Sequence, residues 1–453
     1  MRYGFALDQA ACIGCHACTV ACKAENDVPL GSFRTWVKWI EHGSFPDTRR
    51  SAAVLRCNHC ADAPCITICP TRALHKRPDG IVDLDRDRCI GCASCIQACP
   101  YDALHIDDRH GTAAKCHLCA HRLDVGLAPA CVSVCPEEAI HVIDLDDPET
   151  RAALAARRAT VRKPERRTRP QTFYLDADPA ALDPLAVDGT RTLSHAEVPD
   201  PLPAPGTLAA RAVYDVPRER YWGGRIAAYM VTKAAASGAL LAACLSPWLP
   251  ALHPVLLGWL SLVMTTVTCV LLISDLHKPA RFFYLLTRPN PGSWLVRGGW
   301  ILAAHALLSL PWALGLGGAP WSVPGVPVAL ATSVYTAFLF RQARGRELWS
   351  EDRLLPATLT VQSIAAAAGL AWLFGISAPL AVGLYLVVGM LALVVPLPTA
   401  HARQAHRLMV RRPSFVGGLA AAGAAILWPP LVFLAMALLD WAYIRAGQEV
   451  PLS

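Results

Sequence analysis

The chain has 453 residues, enough for two or three domains, and its apolar share of 54% is above the usual range for a soluble protein. Its formal charge of +7 averages two unlike parts, so it gives no ground for nucleic-acid binding: through residue 146 the sequence is rich in Cys, Asp, Arg and His, and after residue 225 it turns to Leu, Ala, Val and Gly broken by Trp and Pro. Residues 1–10, "MRYGFALDQA", hold neither an apolar core nor a twin-arginine pair, so no cleavable export signal is expected, and the amino-terminal part is expected in the cytoplasm unless a partner carries it out. Sixteen of the 18 cysteines fall between residues 12 and 135, which in a reducing compartment points to metal rather than disulfides. Cys244 and Cys269, in apolar runs, read as small buried hydrophobes.

The first elements in chain order are four cysteine quartets. Cys12, Cys15, Cys18 and Cys22 follow the spacing C-x2-C-x2-C-x3-C, which returns at Cys89, Cys92, Cys95 and Cys99 before Pro100. Two variants with a longer second gap are Cys57, Cys60, Cys65 and Cys69 before Pro70, and Cys116, Cys119, Cys131 and Cys135 before Pro136. A cubane needs thiolates at four corners, and a tight loop with two-residue gaps wraps only three, so the fourth comes from another run. Four such runs make four [4Fe-4S] clusters with no thiolate left over. The rival is zinc, whose four thiolates usually come from two well-separated C-x2-C pairs, a poor match to three cysteines within seven residues. His16, His59, His117 and His121 are expected to be surface or supporting groups, since the thiolate count is already complete.

These runs, quoted as "CIGCHACTVACKAENDVPLGSFRTWV", "CNHCADAPCITICPTRAL", "GIVDLDRDRCIGCASCIQACPYDAL" and "KCHLCAHRLDVGLAPACVSVCPEEAI", resemble the four-cluster electron-transfer subunit of molybdopterin oxidoreductases, the DmsB, NrfC and PsrB type, over about residues 3–143. The resemblance implies a pairing. Cys12, Cys15 and Cys18 would take Cys135, and Cys116, Cys119 and Cys131 would take Cys22. Cys57, Cys60 and Cys65 would take Cys99, and Cys89, Cys92 and Cys95 would take Cys69, this last cluster lying nearest the membrane. It also implies an α+β ferredoxin-like domain, residues 1–146, of two βαβ pseudo-repeats with short strands such as "GIVDL" and "AIHVID", held together largely by its metal.

Residues 147–224 are a Pro-rich connector with a basic run from Arg157 to Arg169; they read as an extended arm on a partner or a membrane surface, or equally as a loose linker. Residues 225–453 follow as an all-α bundle. Apolar stretches near 226–245, 254–274, 298–316, 325–341, 355–376, 379–397 and 418–441 are each close to the roughly 20 residues of a transmembrane helix, giving seven spans, or eight if a short extra one is present. With seven, the loops on the cluster side, taken with helix-end Arg341, carry Lys278, Arg281, Arg288, Arg297, Arg344, Arg346, Arg353, Arg403, Arg407, Arg411 and Arg412, while the far side has little charge beyond Arg445. The positive-inside rule then sets the cluster domain in the cytoplasm, at the inner membrane. "ISDLHKPARFFYLLTRPNPGSWLVRGGWIL" and the tail "AYIRAGQEVPLS" resemble the NrfD/PsrC family of quinone-reactive membrane subunits, which usually has eight spans on a separate chain. By this resemblance the chain is a fusion.

Ionisable groups within a membrane are costly and so mark candidate sites. Tyr229, Lys233, His305, Tyr335 and Gln362 all lie roughly 6–14 Å from the cluster-side ends of their spans, with Asp275 closing the second span. Such a layer could supply the proton donors and acceptors and the apolar walls that a quinone needs. Each also has a plain reading as a snorkelling lysine, a belt tyrosine or a helix-bridging histidine. Haem is not expected, because His305 is the sole histidine well inside a span. The expected function is an electron-transfer and membrane-anchor subunit that relays electrons through four [4Fe-4S] clusters between a molybdopterin-type catalytic subunit and membrane quinone. The chain itself carries no primary catalytic residue in this reading. The rivals are an anchor and relay that binds no quinone, or a component of a larger energy-converting complex.

Overall fold

The structure, a computed structural model, describes residues 1–44, 46–186 and 210–452. The chain forms two compact units, Met1–Glu219 with Pro451–Ser453, and Arg220–Val450.

The first unit is a set of short strands and short helices. It runs β1 (Tyr3–Asp8), α1 (Ala17–Asn26), the hairpin β2 (Thr35–Ser44) and β3 (Asp47–Arg56), α2 (Pro64–Ile68), β4 (Leu74–Lys76), β5 (Val82–Leu84), α3 (Ser94–Ala98), β6 (Leu104–Asp107) and β7 (Thr112–Lys115). It continues with α4 (Ala120–Leu123), α5 (Ala130–Ser133), β8 (Ile140–Asp144), α6 (Pro148–Ala156), β9 (Thr172–Leu175), α7 (Pro179–Leu182) and β10 (Ala210–Tyr214). The strands form four small sheets, in the orders β8-β1-β9, β10-β2-β3, β4-β5 and β6-β7. Helices α2 and α3 stop for one reason: Cys69 and Cys99 each precede a proline and are held extended, at ψ 116° and 117°.

The strands expected at "GIVDL" and "AIHVID" are present as β5 and β8, but their partners are antiparallel, β4 and β1. Among the described residues the parallel pair is β1 with β9, and β9 lies in the stretch read from the sequence as connector. That stretch therefore has structure in residues 147–186, and β10 after it pairs antiparallel with β2. Strands of four or five residues carry too little periodicity to be seen in a Pro-rich sequence. Residues 187–209, the middle of the connector, lie outside the described residues.

The second unit is helical: α8 (Gly224–Leu245), α9 (Pro254–Ser274), α10 (Tyr284–Thr287), α11 (Trp294–Ala313), α12 (Ala319–Gln342), α13 (Glu347–Glu351), α14 (Leu355–Ala371), α15 (Pro379–Val394), α16 (Ala400–Val410), α17 (Pro413–Ala424) and α18 (Leu431–Gly447). Four segments, α8, α9, α12 and Leu355–Phe374, are long and apolar enough to cross a membrane by length and composition. Helix α8 is central and packs against α9, α12, α14 and α18. Helix α9 turns a stripe of Leu256, Trp259, Val263, Val267 and Val270 outward, at heptad-like spacing. An exposed apolar stripe of that length is at home in lipid and costly in water.

The last expected stretch, 418–441, is not one helix. It breaks into α17 and α18 around Trp428–Pro429–Pro430, because two successive prolines remove two backbone donors and their rings clash with the preceding turn. Among the described residues there are thus eight apolar helices of 12 residues or more, α8, α9, α11, α12, α14, α15, α17 and α18, where the sequence reading set seven with an eighth left open. The ends agree with this. Gln448, just past α18, donates its Nε2 to the Trp222 carbonyl at 2.7 Å and accepts from the Trp222 N–H at 3.2 Å, just before α8. Arg412, at the start of α17, pairs with Glu449, which also faces Arg220 at 3.3 Å. Arg445 consequently sits at the same end as the arginine-rich loops, not opposite them.

Gly238 fixes the central contact. A Cβ there would fall 2.7 Å from both the Ala367 nitrogen and the Ser363 oxygen of α14, so the two backbones meet directly. Gly238→Leu should force α8 and α14 apart at about 1–3 kcal/mol or more. The expected result is a lower thermal midpoint for the helical unit, read by cysteine accessibility in detergent, with the iron–sulfur absorbance of the first unit unchanged at room temperature.

Candidate functional site

The internal repeat seen in the cysteines is also a repeat of backbone shape. Gly14 and Gly91 take φ of +67° and +68°, and His16 and Ala93, two residues on, take +63° and +55°. Left-handed residues alternating with right-handed ones curl a chain into a concave nest. At Gly14 a side chain is also excluded by contact, since a Cβ would stand 2.1 Å from the Trp39 ring.

Two of the resulting hollows are lined by thiols in the groupings the resemblance implied. One small hollow is walled by Cys22, Cys116, Cys119 and Cys131, and another by Cys69, Cys89, Cys92 and Cys95. In the other groupings, Cys12 feels Cys135 and Cys15 most among the thiols, and Cys65 feels Cys99, Cys57 and Cys60. Among the described residues no three His, Cys, Asp or Glu side chains close on a point as a single ion would require. The thiols stand around hollows instead, which suits polynuclear iron–sulfur clusters.

The surroundings are built for anionic sulfur. Amide N–H groups donate to thiols at Cys89 (from Ala113, 3.5 Å), Cys116 (from Leu118, 3.4 Å) and Cys135 (from Ala139, 3.3 Å). Asn26 reaches Cys22 at 3.6 Å and is itself held by Arg34 at 3.1 Å. Arg56 is fully buried, lies over the Phe5 ring at 4.3 Å and donates through Nη1 to the Cys131 sulfur at 3.3 Å. It also feels Cys116 and Cys18, so one guanidinium touches the fields of two quartets. The expected histidines hold supporting places. His16 accepts from the Trp39 indole at 3.3 Å, His59 Nδ1 accepts from the Val82 amide at 3.1 Å, and His121 pairs with Glu25 at 2.7 Å. His117 lines the first cavity, where burial pushes its ring down to about 4.

Burial pushes the Cys22, Cys92 and Cys116 thiols up to about 12, so ionising them there is costly and bound metal would supply the offset. Metal binding and folding are therefore one process in this unit. Anaerobic removal of iron with a chelator should abolish the cooperative melt of the first unit, while the helical signal of the second, read by far-ultraviolet circular dichroism, persists.

In the second unit the six polar candidates fall into four local groups. The Tyr229 hydroxyl donates to Tyr335 at 2.8 Å and bonds Thr336 at 2.5 Å; Lys233 Nζ donates to Thr336 at 2.7 Å and to the Ser333 carbonyl at 2.9 Å. His305 is separate, its two ring nitrogens taken by Ser261 at 2.9 Å and Thr332 at 3.0 Å. Gln362 donates to Asp440 at 2.8 Å, and Asp440 lies near enough to Lys233 to feel its charge. Asp275 caps α9 half-buried, beside Arg225. The sequence reading missed Asp440 as a site residue. Seven-span counting set it at the end of a helix far from the loops, although the Pro429–Pro430 pair already made that last span the least certain in the sequence.

Residues 52–145 match the 4Fe-4S dicluster domain. The chain is 44% identical over 190 residues to the tetrathionate reductase B subunit of Salmonella typhimurium, covering 41% of this chain and 76% of that protein. It is 42% identical over 175 residues to the tetrathionate reductase B subunit of Archaeoglobus fulgidus (38% and 82%), and 40% identical over 133 residues to the B component of polysulfide reductase from Wolinella succinogenes (28% and 69%). With its cysteine quartets and [4Fe-4S]-type hollows, the protein belongs, through its first 190 or so residues, to the family of iron–sulfur electron-transfer subunits of multisubunit reductases.

Proposed function

We propose that this chain is both the electron relay and the membrane anchor of a respiratory oxidoreductase. It passes electrons through four [4Fe-4S] clusters between a molybdopterin-type catalytic subunit and the membrane quinone pool. In this reading the sixteen cysteines from Cys12 to Cys135 are the ligands, in the four groupings given above. The observation that carries it is the pair of thiol-lined hollows, each drawing three cysteines from one run and one from another. A row of such centres is a wire, and a wire needs a terminus at each end.

The helical unit supports a membrane terminus. It has an outward apolar stripe on α9, buried polar groups within, and both its ends on one side. That side carries Arg281, Arg288, Arg344, Arg403, Arg411 and Arg445, which by the positive-inside rule faces the cytoplasm of an inner membrane. Tyr229, Lys233, Asp275, His305, Tyr335 and Gln362 are the proton-handling candidates on this reading. One observation favours the rival of a relay that binds no quinone: Tyr229, Lys233, Tyr335 and His305 satisfy one another and their neighbours, as helix-packing groups do.

Redox-titrated electron paramagnetic resonance on membranes containing the protein separates these readings. Four [4Fe-4S] signals, reoxidised by added quinone and blocked by a quinone-site inhibitor, are the expected result. Fewer than four would break the cysteine pairing, and four signals indifferent to quinone would leave only the relay. Within the same titration, Arg56→Gln should lower the midpoint potential of the cluster held by Cys131, because a buried positive charge favours the more negative, reduced state. The clusters whose thiols Arg56 does not face should keep theirs.

A further inference from the structure

The helical unit encloses a cavity that none of the proposed roles uses. It lies among α14, α15, α16, α17 and α18 and measures about 320 Å³. Sites for drug-sized ligands occupy about 300–1,000 Å³, so a ring fits, with any tail leaving through the open mouth. Leu355, Leu359, Leu393, Phe415 and Leu439 make its walls apolar.

Its polar groups stand at two levels. At the first, the Tyr443 hydroxyl donates to Asp352 at 3.1 Å, and His406 contributes a buried ring nitrogen, Nε2, that has no hydrogen-bond partner. A buried ring nitrogen left unsatisfied calls for a ligand or a water. At the second level, three residues or about 4.5 Å back along α18, Asp440 lines the same cavity. Gln362 holds one of its oxygens at 2.8 Å and Tyr385 stands near it. A carboxylic acid buried among apolar helices is costly and is a functional group by default. Behind Asp440 lie Lys233 and then Thr336 and Tyr229, a polar connection into the bundle.

We propose that this cavity, rather than the Tyr229–Lys233–Tyr335 network, holds a quinone or quinol ring, with Asp440 facing one ring oxygen and the Asp352–His406 pair the other. The proposal rests on the quinone reading above and deepens it by moving the site to the second half of the bundle. Two polar stations separated by apolar walls match a flat ring that carries an oxygen at each end. The Tyr229–Lys233–Tyr335 network offers no such separation, because its groups bond directly to one another.

The test is photoaffinity labelling of the full-length chain in nanodiscs with an azido-naphthoquinone, followed by peptide mapping, with 2,3-dimethyl-1,4-naphthoquinone as competitor. Saturable label on peptides containing Tyr385, His406 or Tyr443 is expected. Asp440→Asn and the cavity-filling Leu393→Trp should each weaken the competitor by about tenfold or more, while Val263→Trp on the outward face of α9 leaves it unchanged; intact cluster absorbance reports folding in every variant. Label confined to α8 and α12 would overturn the cavity and keep the quinone reading. Absence of saturable label anywhere would overturn both.

Discussion

On the proposed pairing, four sulfur ligands per cluster, taken from two stretches far apart in the chain, is the constraint on which the first unit depends. Cys22 lines one hollow with Cys116, Cys119 and Cys131, and α1 lies beside α5. Cys69 must meet Cys89, Cys92 and Cys95, which brings α2 against α3. The strands are short because they need only hold these loops in place, and β1 does so from both sides by pairing with β8 and β9. A unit with so many buried thiols and so few long elements has little to hold it together apart from metal.

The second unit answers a different constraint. Backbone polar groups in an apolar medium have to be satisfied within the segment, which leaves helices as the solution. Side-chain polar groups then face one another across helix contacts, as Ser237 does with Ser363 at 2.7 Å and Thr268 with Thr232 at 2.9 Å. Close approach at Gly238 makes such short bonds reachable. Against this background of mutual satisfaction, the groups around the α14–α18 cavity are set apart by facing open space.

The ligand chemistry was legible in the sequence because clusters demand one residue type at fixed spacing, and Cys12 to Cys22 repeat at Cys89 to Cys99 in backbone shape as well as in letters. What was not legible depended on partners distant in the chain. Thr172–Leu175 is a strand only because β1 offers it an edge, and nothing in "TFYL" announces that. The hairpin of β2 and β3, ten residues in each strand, was likewise passed over, its pattern broken by Lys38, Glu41 and Arg50. In the apolar half, composition identified the oily stretches but could not decide whether the Pro429–Pro430 pair ends a helix or only bends one, and in the structure it separates α17 from α18. Parity propagates: whether that stretch is one helix or two decides which groups share a side with Asp440.

The carboxyl-terminal residues carry a further consequence, one of timing. Gln448 closes the helical unit by bonding Trp222 across 226 positions of sequence, and Leu452 joins the first unit through Arg162, across 290 positions, at 3.0 Å, and through Asp102 at 3.3 Å. Chains emerge from the ribosome amino end first, and contacts of such long range form late. Both units therefore wait for residues 448–452, and a chain cut before Gln448 would lack a contact in each of them at once.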